Sequence, residues 1–509
     1  MKNLLSFLMI SCFSFSTLGF GQESERWTKA IREKVKPAIV NVFTSLNVGL
    51  SYEFATSLGG TGSIVDKHQG IILTNKHVVG LSPHRRIEVS FSSGESTDAK
   101  VLYVHPWHDF AFIQIDPKKL AFTKLEQVTL GNFSSLEEGD EVLQIGNTES
   151  NPYSMSKLEV SNLFRNQNIE APFYRHTHMV HLSGIIAGGA SGSPIFNQQG
   201  QVVALLNSGV DTQTYALRID YIKDALQILR TGKQPVHGDI LVQFDTPEIK
   251  YILDYQPKTK ALQAWIDQAI RSQTKIKNYT LIKSLIPGTE AYEKLKVGDI
   301  VLSIKKKKQD KKMIVTHHLY EIDKMVDQQV GKSIFLTVYR DQKVLEDVEL
   351  PVSNAKEHMI REYATFGFAT FHPVDANLAL YLGIPEKGIF LSEAVEGKSF
   401  FDGLAAIRYR SDEYKKAFGK RTAVIEKIDR FSFHSMREFV SALEKCHQKG
   451  VKNTDVLLRD FQQFYPGLRE NHITLDFVTD PFQQFSQDDA FQWTRIPSTF
   501  ITSSTDPVQ

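Results

Sequence analysis

A multidomain chain, with an all-β domain ahead of two α+β modules, is predicted by three observations. Residues 36–230 read as short apolar runs bounded by turn signals, which is the pattern of a β-sandwich or barrel. Two later segments repeat one plan of strand, turn, short helix, strand and amphipathic helix. Finally, a His, an Asp and a Ser occur in that chain order inside the first region, each in a distinctive local setting. A length of 509 residues agrees with about three domains of roughly 150 residues each.

In the first region the clearest strands are Pro37–Val42, Gly62–Val65, Ile71–Thr74, Ile87–Ser90, Phe110–Ile115, Val142–Gly146 and Val202–Leu206. Asp220–Leu229 then reads as a helix, because Ile222, Ala225, Leu226 and Leu229 share one face. Thr231-Gly232-Lys233-Gln234-Pro235 ends it and marks the first domain boundary. The first module, 236–352, is carried by Leu281–Ala291 and Leu295–Ile304, with an insertion from Tyr251 to Tyr279 that is helical around Ala261–Ile270. The second, 361–478, is carried by Gly388–Val395, Val424–Asp429 and a helix over Met436–Lys445. Residues 479–509, rich in Gln, Asp, Ser and Thr without periodicity, are expected to form a loosely ordered polar tail.

Composition narrows the function classes. A hydrophobic fraction of 41% with 23% charged residues is that of an ordinary globular protein. The 59 basic and 58 acidic residues leave a net charge of +1, so no global field favours nucleic acid or an anionic membrane. The run Lys305–Lys312 is expected to be a solvated hairpin loop. Residues 1–21, Met1-Lys2-Asn3 followed by the apolar stretch Leu4–Phe20 and Gly21, have the layout of a secretory signal peptide, with 22–35 as an N-terminal segment. A retained anchor is the competing reading, and Met9-Ile10-Ser11-Cys12 is a poor lipidation box. Removal of the signal would leave Cys446 as the single cysteine, without a disulfide partner. The expected location is therefore the periplasm or cell envelope.

The three chemical residues are His77 in Thr74-Asn75-Lys76-His77-Val78-Val79, Asp109 in His108-Asp109-Phe110-Ala111, and Ser191 in Gly189-Ala190-Ser191-Gly192-Ser193-Pro194. The order His, Asp, Ser matches the two-barrel peptidase architecture and not the hydrolase or subtilisin orders. A serine hydroxyl needs a base to become a nucleophile, and imidazole serves near neutral pH. Asp109 would fix the tautomer of His77, and the N–H groups of Gly189 and Ser191 would receive the oxyanion. His176, His178 and His181, like His317 and His318, invite a metal reading. No carboxylate or cysteine stands at ligand spacing, so surface or barrel-lining roles are expected, with no metal and no cofactor.

Residues 36–230 resemble the protease domain of the HtrA/Deg family. The similarity rests on Gly62–Val65, Leu73–Val79, Asp109-Phe110-Ala111, Ile145-Gly146-Asn147 and Gly189–Gly192. The modules resemble that family's two PDZ domains, through Pro287-Gly288 and Val297–Ile300 in the first and Phe366-Gly367-Phe368 and Gly388–Leu391 in the second. The resemblance implies an all-β two-barrel trypsin-like serine protease domain followed by two PDZ-like α+β domains. Ala190 and Ser193 depart from the family pattern, and Ser193 adds bulk beside the nucleophile turn.

The same resemblance places Ile185, Ile186, Ala187 and Asn207 at the substrate pocket, which would take small aliphatic side chains; filling the barrel core is the alternative for the two isoleucines. Phe366, Gly367 and Phe368 would form the loop that receives a peptide carboxylate. In the first module Leu241 stands where glycine is expected, which argues against such capture there. Thr148–His178 is where the regulatory loop would fall. Expected partners are unfolded polypeptides or peptide C-termini and further copies of the chain in trimers or multiples of trimers; no nucleic-acid module is apparent. The implied function is an exported ATP-independent serine endopeptidase acting on misfolded envelope proteins. Two alternatives remain: a PDZ scaffold or chaperone whose barrel has lost hydrolysis, and a narrow regulatory protease of one membrane-linked partner.

Overall fold

The computed structural model describes residues 28–497 apart from 52, 54, 83, 149–150, 167–174, 211–212, 251–258, 273–277, 312, 315–318, 395–397, 399, 401–422, 461–466, 476, 478–481 and 489–490. The expected signal peptide with Cys12, the pair His317 and His318, and the end of the tail lie outside these residues.

Six strands close the first barrel: β1 (Ile39–Leu46), β2 (Ser57–Asp66), β3 (Ile71–Thr74), β4 (Arg85–Ser90), β5 (Ser96–Val104) and β6 (Ala111–Gln114), in the order β1-β2-β3-β6-β5-β4. Strand alternation supplies its interior. Val40 and Val42 of β1 are buried with Ile64, Ile72, Val89 and Ile113, while Phe43, between Val42 and the buried Thr44, is 52% exposed. The short helix α1 (Lys76–Val79) follows β3 directly.

The second sheet comprises β7 (Thr129–Leu130), β8 (Glu141–Thr148), β9 (Asn151–Asn166), β10 (His178–Ser183), β11 (Pro194–Phe196), β12 (Gln201–Val210) and β13 (Gln213–Arg218). The β11–β12 pairing closes β8-β9-β10-β13-β12-β11 into a ring, and β7 adds outside it, parallel to β12. Helix α2 (Ile219–Leu229) lays Ile219, Ile222, Ala225, Leu226 and Leu229 against this barrel, as its 3.6-residue pattern requires.

The first module contains β14 (Gly238–Asp239), β15 (Val242–Asp245), helix α3 (Lys260–Ser272), β16 (Leu281–Leu285), α4 (Glu290–Lys294), β17 (Ile300–Lys305), β18 (Met313–Ile314), α5 (Leu319–Asp327), β19 (Ser333–Arg340), β20 (Lys343–Pro351) and β21 (Ser353–Asn354). The order β15-β16-β17-β19-β20 leaves β15 at a sheet edge among the described residues. The basic run lies in the β17–β18 hairpin, with Lys305 buried and Lys307 and Lys308 exposed.

The second module holds β22 (Glu362–Phe366), β23 (Ala369–Pro373), α6 (Ala376–Leu382), β24 (Ile389–Ala394), β25 (Ala423–Ile428), β26 (Phe431–Ser432), α7 (Met436–Gln448), β27 (Asn453–Asp460) and β28 (Gly467–Thr474). Its sheet runs β28-β27-β25-β24-β23-β22 and continues into β29 (Gln483–Gln487) and β30 (Trp493–Ile496). The described part of the tail is therefore a hairpin paired with β22, which corrects the expectation of loose order. The reason is aromatic. Phe485 stacks on Tyr363 at 4.8 Å, and Trp493 meets the edge of that ring at 5.2 Å, a signal that Gln- and Ser-rich composition conceals.

Candidate active site

The loop after β3 and the turn before β6 meet in a hydrogen-bonded pair. The His77 backbone N–H donates to Asp109 Oδ1 at 2.9 Å, and His77 Nδ1 lies 2.6 Å from Oδ2. Asn75 Nδ2 donates to Asp109 O at 2.8 Å, locking the two segments together. With both carboxylate oxygens engaged on one residue, Nδ1 carries the proton and Nε2 is left as an acceptor. Asp109 is buried, whereas the imidazole is 36% exposed. Burial pulls the His77 pKa down, but the Asp109 charge and hydrogen bond outweigh it and hold the value above the usual 6.5. Burial likewise pushes Asp109 up, and the contacts with His77 more than reverse this.

Ser191 sits in the turn between β10 and β11, against β2 of the other barrel. Thr61 on β2 donates its N–H to Ser191 O at 2.8 Å and its Oγ1 to Gly189 O at 3.1 Å. Thr61 Oγ1 also accepts the Asn147 N–H at 2.9 Å, and Thr61 O accepts from Thr74 Oγ1 at 2.8 Å. One fully buried threonine thereby joins the Ser191 turn, β8 and the end of β3. Gly189 and Gly192 adopt φ of +87° and +84°, the left-handed region open to glycine. A Cβ on Gly192 would stand 2.1 Å from Thr61 O and 3.3 Å from Asn75 N, so the turn packs directly against the approach to His77.

Ser193 does not crowd this turn. Its side chain points into the second barrel, where Oγ accepts from Gln144 Nε2 at 2.9 Å, and a Cβ on Gly146 would come within 1.9 Å of it. The bulk expected beside Ser191 is therefore taken up by a glycine on β8. Ala190 is buried in the second core.

Of the pocket residues, Ile185 is 71% exposed, Ile186 packs partly on the second core, Ala187 is half-buried and Asn207 is buried on β12. Filling the barrel core is thus excluded for Ile185.

Phe366, Gly367 and Phe368 do not form an open carboxylate-receiving loop. Phe366 is buried in β22, and Gly367 and Phe368, at φ +62° and +57°, are the central pair of a two-residue hairpin turn joining β22 to β23. Both positive φ values match the twist of the strands. The pairing leaves β23 flanked by β22 on one side and β24 on the other, so no edge is available to an added strand there. In the first module Leu241 adopts φ +57°, and its N–H is taken by Asp239 Oδ1 at 2.7 Å. Asp239 is held in turn by Arg175 Nη1, 2.7 Å from both oxygens.

The histidines serve contacts between elements. His176 Nε2 lies 3.0 Å from Asp323 Oδ1 on α5, and its ring meets Phe244 of β15 at 4.8 Å. His178 binds Leu163 O through Nε2 at 2.7 Å, and the half-buried His181 stacks on Tyr215. Of the expected surface or barrel-lining roles, the surface one is corrected for His176 and His178, which are buried beneath their contacts with Asp323 and Leu163. Among the described residues no three His, Cys, Asp or Glu side chains are arranged so that they could hold a metal ion. Thr61 was missed from sequence, although the glycines at 59, 60 and 62 signal close backbone approach. Lys76, His105 and His108, which brace the Asp109 turn, had no periodic signal.

Residues 60–205 match the trypsin-like peptidase domain. The chain is 30% identical over 389 residues to the pro-apoptotic serine protease NMA111 of Saccharomyces cerevisiae, covering 74% of this chain and 37% of that protein. It is 28% identical over 410 residues to a PDZ domain-containing protein of Schizosaccharomyces pombe, covering 76% of this chain and 38% of the relative. The chain therefore spans well under half the length of these relatives. The solved structure titled HtrA-type protease AlgW with decapeptide aligns over 64% of this chain and 98% of its own, at 17% identity and a TM-score of 0.46.

Proposed function

We propose, from the match of residues 60–205 to the trypsin-like peptidase domain, the similarity to a serine protease relative and the sequence resemblance to the HtrA family, that the chain is an HtrA-like serine endopeptidase using Ser191, His77 and Asp109 on unfolded polypeptides. The observation that carries this reading is the 2.6 Å contact between His77 Nδ1 and Asp109 Oδ2, with Thr61 of β2 bonded both to Ser191 O and to Thr74 at the end of β3, just before His77. His77 Nε2 takes the Ser191 proton as Oγ bonds to the scissile carbonyl carbon. The oxyanion is received by the Gly189 and Ser191 N–H groups. Collapse breaks the C–N bond, and the leaving amine takes the proton from His77. Water, deprotonated by the same imidazole, then releases the acyl group and restores Ser191. The exposed Ile185 beside this turn supports an apolar subsite, which suits chains that expose buried aliphatics. Export to the cell envelope, assembly into trimers or their multiples, and a quality-control role belong to the proposal; the first rests on the apolar run Leu4–Phe20.

The test is digestion of casein with fluorophosphonate labelling, in the full chain and in Ser191→Ala. Loss of both in a folded mutant is expected, with turnover falling by about 10⁶. A wild type that neither labels nor cleaves would leave the scaffold or chaperone reading in its place.

A further inference from the structure

The acyl-transfer steps need nothing from the two modules, yet both reach the turn that carries Asp109. Residues 105–110 project from the first barrel between β5 and β6. Inside the turn, His105 Nδ1 accepts the N–H groups of Trp107 at 3.3 Å and His108 at 3.0 Å. Burial pulls the His105 pKa well below its ordinary value, so the ring is neutral and can act as this acceptor. The carbonyls of His105 and Pro106 face out of the turn. Lys76 Nζ, from the residue next to His77, donates to His105 O at 3.3 Å and Pro106 O at 3.2 Å. Pro106 O also accepts from Asn377 Nδ2 at 3.1 Å, and Asn377 lies on α6 of the second module.

Asn377 is itself aimed. Its Oδ1 accepts from Arg175 Nε at 2.7 Å, and the Arg175 guanidinium lies 4.9 Å from the centre of the Trp107 ring while gripping Asp239 of the first module. The planar fork fixes the direction of each donor. Pro106 O is thus shared by a lysine that anchors the His77 helix and an amide from a domain 271 residues away in sequence. Movement of that carbonyl would disturb both partners of the His77–Asp109 bond.

We propose that Asn377 is a positioning residue for His77 and Asp109, which makes the second module a fixed part of the active-site framework. This rests on the peptidase reading above. It fits the second module's closed hairpin, which leaves β23 no free edge for a regulating peptide. Asn377→Asp separates positioning from simple domain adhesion, since the carboxylate keeps an acceptor for Arg175 but cannot donate to Pro106 O. Asn377→Ala removes both contacts.

The experiment compares wild type, Asn377→Asp and Asn377→Ala in the full chain, measuring kcat and KM on a chromogenic peptide. A second readout is the downfield proton resonance of His77 Nδ1, assigned by its loss in His77→Ala. Both variants are expected to lose about tenfold or more in kcat, since misplacement near 1 Å costs about 10²-fold. KM should stay within about twofold, as for an interaction expressed in the transition state, and the His77 resonance should move. Folded variants with wild-type kcat and an unmoved resonance would overturn the proposal. A wild type without cleavage or labelling removes the peptidase reading instead, and the resonance alone then decides whether Asn377 sets the His77–Asp109 bond. Should Asn377→Ala fail to fold, Asn377→Asp carries the same decision.

Discussion

The turn that carries Ser191 and the turn that carries Asp109 are both short, but they are held by different means. The Ser191 turn is braced inside the double barrel. Gly192 N–H donates to Leu206 O at 3.1 Å, Leu206 N–H to Ser193 O at 2.9 Å, and Thr61 ties the outer side across the barrel interface. The Asp109 turn is braced by side chains from other elements: Lys76 of α1 in the same barrel, Asn377 of the second module, and Asp323 of the first module, whose Oδ2 lies 3.4 Å from His108 Nε2. The difference follows from geometry. The Ser191 turn lies against the backbones of β12 and β2, which satisfy its N–H and C=O groups, whereas the turn joining the paired strands β5 and β6 presents the His105 and Pro106 carbonyls to side chains of other elements.

Asp109→Asn should show the largest effect on this comparison. It leaves the turn in place while removing the charge that sets the His77 tautomer, and kcat should fall by about 10⁴. The pH profile gives the sign independently. His77 acts as a base only when neutral, and Asp109 holds its pKa above 6.5, so the acid limb of kcat/KM should lie above 6.5 in wild type and move down in Asp109→Asn. An acid limb that does not move would break the assignment of Asp109 as the orienting group.

Thr61→Val should act on the other turn. It removes the donor to Gly189 O and the acceptor of the Asn147 N–H. A kcat loss of about 10–10² is expected, below the full cost of a missing oxyanion donor, with the acid limb unshifted and Thr61→Ser restoring the rate. A displaced acid limb would mean that the two turns are coupled through β2.

Gly146→Ala should be the mildest for catalysis and appear as stability. Its Cβ would meet Ser193 Oγ at 1.9 Å, so overpacking of about 1–3 kcal/mol is expected as a lowered melting temperature. Adding Ser193→Gly should recover part of it, since the same Cβ also stands 2.8 Å from Thr61 Oγ1. Absence of recovery would show that Ser193 does not fill the space Gly146 leaves.

Much of the fold was legible because its signals are local. Apolar runs bounded by turn signals predicted Ile71–Thr74 and Val202–Leu206, and a helical stripe predicted the segment from Asp220, which begins one residue earlier at Ile219. The helix within the Tyr251–Tyr279 insertion was legible for the same reason and spans Lys260–Ser272. The tail hairpin was not, since its partners Tyr363 and Phe485 are separated by more than a hundred residues and only the folded sheet sets them in register. Phe366-Gly367-Phe368 illustrates a different limit. The glycine correctly marked a left-handed turn, but whether such a turn opens into a loop or closes a hairpin depends on which strand lies beside it.

By itself, the sequence determined the order of the domains, the identity and order of His77, Asp109 and Ser191, and the glycines their turns require, because residue chemistry and short spacing encode each of these. Tertiary structure alone decided where the Ser193 side chain goes, how Thr61 joins the barrels, and that Asn377 reaches Pro106 O. Each of those is a hydrogen bond or packing contact between segments distant in the chain, and its geometry exists only once both barrels and both modules have fixed their positions.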